Sequence, residues 1–149
     1  AEGYEFCSKM KIAHREIVGQ TLIEFSHAWY KRDDKPPSVK EAIKWKNHVG
    51  DLYPTVKSFV FVHGHVHVPR YQIIDNLTIL CQGATGLPFD RDQRGSVAFL
   101  KIADGKINWD VNRYDYNSSL TSNQLEKRKP PFYTNLLNTI RLASIRNDI

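Results

Sequence analysis

Three of the chain's six histidines fall within five residues, in Phe59-Val60-Phe61-Val62-His63-Gly64-His65-Val66-His67-Val68-Pro69. They come directly after a run of apolar, strand-forming residues. Neutral imidazole is a good ligand for divalent transition metals, so the first chemistry to weigh is metal binding. In extended backbone, residues i and i+2 point to the same side, which lets His65 and His67 address one cavity with Val66 turned away. Gly64 permits a sharp bend or a close approach to a neighbour. A further histidine, His27, sits just past another strand-like run, Thr21-Leu22-Ile23-Glu24-Phe25-Ser26. If both strands share a sheet and a direction, all three imidazoles meet at the edge where open α/β sheets place their sites. A lone H-x-H is more often a pair of solvated or hydrogen-bonded histidines. The apolar strand, the glycine, the proline and the second strand-end histidine together tip the balance to metal. His63 reads as a core or supporting histidine, while His14 and His48 have no partner pattern.

The elements that must position these residues read as a mixed α/β chain rich in hairpins. Lys11 to Val18 and Thr21 to Phe25 flank Gly19-Gln20 and predict a first hairpin. Ser38-Val39-Lys40-Glu41 carries the serine and glutamate of a capping box, so a helix is expected from there, with Val39, Ala42 and Ile43 as its apolar stripe and Gly50 as its stop. Ser58 to Val62 is apolar on both faces, which suits a central strand. Asp75-Asn76 predicts a second hairpin between Tyr71–Ile74 and Leu77–Cys81. Ala103-Asp104-Gly105-Lys106 predicts a third, between Val97–Ile102 and Ile107–Val111. A long irregular loop, Gly83 to Gly95, separates these two hairpins, and another polar loop spans Lys31 to Pro37. The tail predicts two helices, Thr121 to Lys127 and Phe132 to about Ala143, parted by Pro130-Pro131.

Composition narrows the function classes only in part. The 149 residues are 41% hydrophobic, enough for one packed domain, and no stretch has the length of a membrane span. Cys7 and Cys81 lie far apart and read as reduced thiols, which suits a cytoplasmic protein. The N-terminal Ala1-Glu2-Gly3-Tyr4-Glu5 lacks the regions of a signal peptide. The net charge of +5 favours anionic partners in a general way. The densest basic run, Lys127-Arg128-Lys129, reads as a solvated helix end before a proline stop rather than as a nucleic-acid contact.

The histidine pattern resembles the calcineurin-like metallophosphoesterases. Gly64-His65-Val66-His67, followed by Val68-Pro69, matches that family's last motif, GHxH. Leu22-Ile23-Glu24-Phe25-Ser26-His27-Ala28 is similar to the strand that carries its lone metal-binding histidine, with Tyr30 where a proline is usual. Cys81-Gln82-Gly83-Ala84-Thr85-Gly86 looks like the family's Pro-Gly-Ser-x-Gly turn. Arg91 and Arg94 lie in the loop where relatives carry arginines. Gly95 to Tyr116 matches the closing hairpin with its Tyr114-Asp115 pair. The resemblance covers nearly the whole chain and points to bacterial members of the diadenosine-tetraphosphatase-like and YfcE-like branch. It implies part of a four-layer α-β-β-α sandwich, with residues 1–149 as one domain forming its C-terminal half and residues 118–149 as a helical tail.

The same resemblance implies two divalent metal ions, Mn, Fe, Zn or similar. By position, His27 and His65 would ligate one and His67 the other, with Arg70, Arg91 and Arg94 as substrate-binding candidates. The implied activity is hydrolysis of a phosphomonoester, phosphodiester or dinucleoside polyphosphate by a metal-activated hydroxide. The family's D-x-H, G-D-x-x-D and G-N-H-D/E motifs precede the histidine matched by His27 and are absent here, as is the general acid they include. The nearest approach, Gly50-Asp51-Leu52-Tyr53-Pro54, has proline where the second aspartate belongs. The N-terminal half is therefore expected in a longer chain or a separate fragment. Two close dications need anionic bridging ligands, so these residues by themselves are expected to bind metal weakly and not to turn over. The alternative is a non-catalytic protein-interaction scaffold, as in a retromer subunit of this fold. Nucleic-acid binding ranks third, and no membrane partner is expected.

Overall fold

A computed structural model of the chain describes residues 2–29 and 34–145, so Tyr30 and residues 31–33 of the polar loop lie outside the described residues. The elements follow in the order α1 (Glu2–Ser8), β1 (Ala13–Val18), β2 (Thr21–Ser26), α2 (Val39–Leu52), β3 (Ser58–His63), β4 (Pro69–Ile74), β5 (Leu77–Gln82), β6 (Gly95–Ala103), β7 (Lys106–Tyr114), α3 (Ser118–Arg128) and α4 (Tyr133–Leu142). One five-stranded sheet has the order β1-β2-β3-β5-β4, and β6-β7 form a separate pair. The chain divides into two compact units, Ala1–His65 with Ile73–Ile79 and Val66–Gln72 with Leu80–Ile149.

In the first unit the predicted hairpin forms around Gly19-Gln20, with Val18 opposite Thr21 and Ala13 opposite Ser26. Gly19 takes a φ of 60°, a value a side chain would resist. The second strand then runs parallel to β3, in register from Thr21 opposite Ser58 to Ser26 opposite His63. Parallel neighbours need a crossover, and α2 supplies it. Its capping box is complete: Glu41 N–H donates to Ser38 Oγ at 3.3 Å, and Ser38 N–H donates to the Glu41 carboxylate at 2.9 Å.

Two expectations for α2 are corrected. The helix does not stop at Gly50 but runs to Leu52, with Pro54 just beyond. Gly50 lies inside the helix and does not cap it; a Cβ there would lie 3.4 Å from the Phe59 ring, in van der Waals contact. The buried stripe is Ala42, Trp45 and Val49, while Val39 is exposed. Trp45 stands edge-on to Phe59 and Phe61, with ring centroids 6.2 and 5.2 Å apart. Those rings share a core with Leu22, Leu77 and Ile79. Each fully buried ring or branched chain of this kind contributes about 1.5–3 kcal/mol. From Phe59 to His63, β3 is buried throughout, as a central strand should be. The short, exposed α1 carries no sequence signal that predicted it.

In the second unit Asp104 and Gly105 both have positive φ, 50° and 72°, which gives the two-residue turn that right-twisted hairpins favour. The strands it joins reach Gly95 and Tyr114, longer than predicted. Two hydroxyls near the end of this hairpin hold the irregular loop: Tyr114 donates to the Thr85 carbonyl at 2.6 Å and Tyr116 to the Gly86 carbonyl at 2.7 Å. Helix α3 begins at Ser118, three residues before the predicted Thr121, because the Asn117 side chain accepts the Leu120 N–H at 3.0 Å. Arg141 of α4 pairs with Glu126 of α3 at 3.0 Å.

Candidate functional site

The parallel pairing of β2 and β3 decides where two of the histidines stand. Each strand ends one step before a loop, so His27 and Gly64 leave the sheet side by side at its carboxyl edge. Gly64 N–H donates to the His27 carbonyl at 2.9 Å. A Cβ at position 64 would lie 3.4 Å from that carbonyl, in van der Waals contact with it. Beyond it the chain turns, and His65 Nδ1 comes within 3.4 Å of His27 Nε2. The two rings are nearly perpendicular, at 89°.

That nitrogen–nitrogen separation is long for an N–H···N hydrogen bond, whose usual span is about 2.7–3.2 Å. It matches two ligands of one cation. Metal–nitrogen bonds of about 2.1 Å at a tetrahedral angle put the two nitrogens roughly 3.4 Å apart. The pair therefore fits one divalent transition metal as a half-built ligand set. Among the described residues, no three His, Cys, Asp or Glu side chains are grouped to hold a metal ion.

His67 belongs to the second unit and is fixed there by its own partners. Its Nδ1 lies 2.7 Å from the Leu87 carbonyl, which can only accept, so Nδ1 carries a proton and the neutral ring has its lone pair on Nε2. Phe89 stacks on the ring at 4.5 Å between centroids. A histidine whose far nitrogen donates to a backbone carbonyl is arranged as metal-ligating histidines are. His63 is buried at the end of β3, with Nδ1 2.9 Å from the Gly64 carbonyl, which places it in the core as expected.

The extended geometry expected across residues 63–67 is corrected. It stops at His63, and both His65 and His67 adopt left-handed backbone, with φ of 63° and 56°. The simple alternation of i and i+2 therefore does not direct these rings; the turn after Gly64 does. Left-handed backbone costs a non-glycine residue roughly 1–2 kcal/mol. Strain of this sort clusters at functional sites, which accords with a role for the two side chains.

All three candidate arginines belong to the second unit. Arg94 is tied to the Asp92 carboxylate by Nε at 3.0 Å and Nη2 at 2.8 Å. Hydrogen bonds from the Arg94 side chain and backbone hold Asp92 down at about 2. Arg70 donates to Gln72 Oε1 at 2.6 Å, and burial lowers its pKa. Arg91 has left-handed backbone, φ 67°, and its N–H donates to the Ala143 carbonyl at 2.7 Å. Arg113, which the sequence did not single out, pairs with Asp90 and lies 3.9 Å from Asp92. Phe89 and Leu87 were also missed. A lone phenylalanine in an irregular loop and a backbone carbonyl leave no pattern in a sequence.

No family model and no curated protein matches the chain. Solved structures do. A metallophosphoesterase from Sphaerobacter thermophilus superposes with a TM-score of 0.64 at 20% identity, over 96% of this chain and 63% of that one. A hypothetical protein from Pyrococcus horikoshii OT3 gives 0.70 at 12% identity, over 97% and 56%. A predicted phosphoesterase from Streptococcus pneumoniae TIGR4 gives 0.51 at 16%, over 71% and 56%. The fold is metallophosphoesterase-like. The chain spans less than two thirds of the length of each of these three neighbours, and at such identities the likeness speaks for the fold alone. No helix among the described residues is long and apolar enough to cross a membrane.

Proposed function

We propose that this chain is the histidine-bearing part of a metal-dependent phosphoesterase, with His27 and His65 holding one divalent cation and His67 supplying a ligand to a second. The observation that carries the reading is the 3.4 Å approach of His27 Nε2 to His65 Nδ1 at the carboxyl edge of two adjacent parallel strands. The metallophosphoesterase-like fold supports it. Bound divalent cations supply Lewis acidity, which acidifies water and polarises phosphoryl oxygens. The chain's own part is to hold imidazole lone pairs in place. The turn after Gly64 brings His65 to His27, and the Leu87 carbonyl selects the tautomer of neutral His67 that leaves the lone pair on Nε2. Arg70, Arg91 and Arg94 are the cationic candidates for phosphate oxygens, and Arg94 must exchange Asp92 for substrate to act in that way. In this reading the chain corresponds to the C-terminal half of the domain and to the diadenosine-tetraphosphatase-like and YfcE-like branch. Its acidic bridging ligand and general acid come from the other half, and its site is cytoplasmic.

The test is Mn²⁺-dependent hydrolysis of bis-p-nitrophenyl phosphate by the full-length protein. His65→Ala and His67→Ala should each lower turnover by roughly two or more orders of magnitude, the scale seen on losing a preorganised polarising group, with circular dichroism unchanged. Unchanged activity in both variants contradicts the proposal. A full-length protein that binds metal yet never turns over points instead to the scaffold alternative. Residues 1–149 by themselves should bind Mn²⁺ weakly and without turnover.

A further inference from the structure

The first unit also has a pocket of about 530 Å³ on the side of the sheet that faces α2, within the range of small-molecule sites. Its polar floor is an ion pair built from β1 and β2. Arg15 donates through Nε, at 2.8 Å, and through Nη2 to the same oxygen of Glu24. Glu24 is 2% exposed, a carboxylate taken almost wholly out of water in the middle of a strand. The guanidinium lies over the Tyr53 ring, 5.7 Å from its centroid. Burial pulls the Arg15 pKa down, but hydrogen bonds to Glu24 and Tyr53 outweigh it and leave the net shift upward. Trp45 and Leu52 of α2 form walls, and His48 stands at the mouth.

We propose that this pocket is a second binding site, independent of the metal chemistry, and that it takes an uncharged planar heteroaromatic ring. The reasons lie in what the floor offers. Glu24 already neutralises Arg15, so an added anion gains little from the guanidinium and meets a buried carboxylate. An added cation meets Arg15. The guanidinium is planar and weakly hydrated, is held in its plane by Glu24 and has one face over Tyr53. Its side chain keeps 34% of its surface exposed. Five N–H donors are available to an arginine; two go to Glu24 and one to Tyr53, so donors remain for a ring nitrogen or carbonyl. A neutral ring stacked on that cation, with its edges against Trp45 and Leu52, uses all of these features. No local pattern marks the site, because Arg15 and Glu24 lie nine residues apart and are brought together by the hairpin.

The test is an amide NMR titration of the protein with nicotinamide and with nicotinate, which differ in charge but hardly in shape. Nicotinamide should give saturable shifts at Arg15, His48, Leu52 and Tyr53, and nicotinate should bind at least about fivefold more weakly. Arg15→Lys keeps the charge opposite Glu24 but loses the planar face, so it should weaken nicotinamide by about fivefold, the scale of one cation–π contact. Leu52→Glu, at a position 58% exposed and therefore safe for folding, should weaken it as well. It carries the test if Arg15→Lys does not fold. The proposal is overturned if nicotinamide gives no saturable shift at these residues, if nicotinate binds equally well, or if the folded variants bind as the parent does. None of these results depends on phosphoesterase activity.

Discussion

The two compact units hold their histidines in opposite ways. In the first, His27 and His65 approach each other to 3.4 Å, the arrangement we propose to be completed by a shared cation. In the second, His67 is secured by a carbonyl on one nitrogen and a phenyl ring on its face. The first pair is placed by sheet geometry, the single ring by a loop. The ion pairs differ in the same sense. Arg15–Glu24 has its carboxylate 3% exposed, whereas Arg94 and Asp92 are 51% and 30% exposed. Strand register thus fixes charge in the interior of the first unit, while Arg94–Asp92 in the second is a solvated pair within a loop.

Mutations at matched places sharpen that contrast. Arg15→Ala leaves Glu24 buried with no cation beside it and should cost about 2 kcal/mol, the scale of an unsatisfied buried polar group. Arg94→Ala should cost less than about 1 kcal/mol, as exposed pairs do. Chemical denaturation of both variants reads the difference, and equal losses would remove it. Next in size, Phe89→Leu frees one face of His67 and should lower the metal affinity of the full-length protein by about tenfold, measured by calorimetry, as changes behind a ligand commonly do. Unaltered affinity would mean that the stacking does not position the ring.

The smallest effect concerns the left-handed backbone at His65. Glycine usually destabilises relative to alanine, but here His65→Gly should be more stable than His65→Ala by about 1 kcal/mol, since only glycine escapes the Cβ penalty. Thermal melts of the two variants give the order directly. The reverse order would show that the turn relaxes to ordinary backbone once the imidazole is gone.

What the sequence made legible was whatever local pattern controls. The capping box at Ser38, the Asp104-Gly105 turn and the apolar run before His63 each specify an element through a few adjacent residues. The place of His27 was legible too, because the end of one strand run next to another invites a parallel pair. Less legible were features set by distant partners. Gly50 looked like a helix stop, yet the helix carries on through it to Leu52. The turn at His65 and His67 broke the alternation that their spacing suggested. The burial of Glu24 depends on Arg15 across a hairpin, and the setting of His67 depends on Leu87 and Phe89, neither of which announces a ligand.

The most direct measurement is nitrogen NMR of the imidazoles during a Zn²⁺ titration of this chain. If His27 and His65 share a cation, the resonances of His27 Nε2 and His65 Nδ1 move together along one saturable curve. Movement of one without the other, or of neither while zinc binds elsewhere, contradicts the shared site.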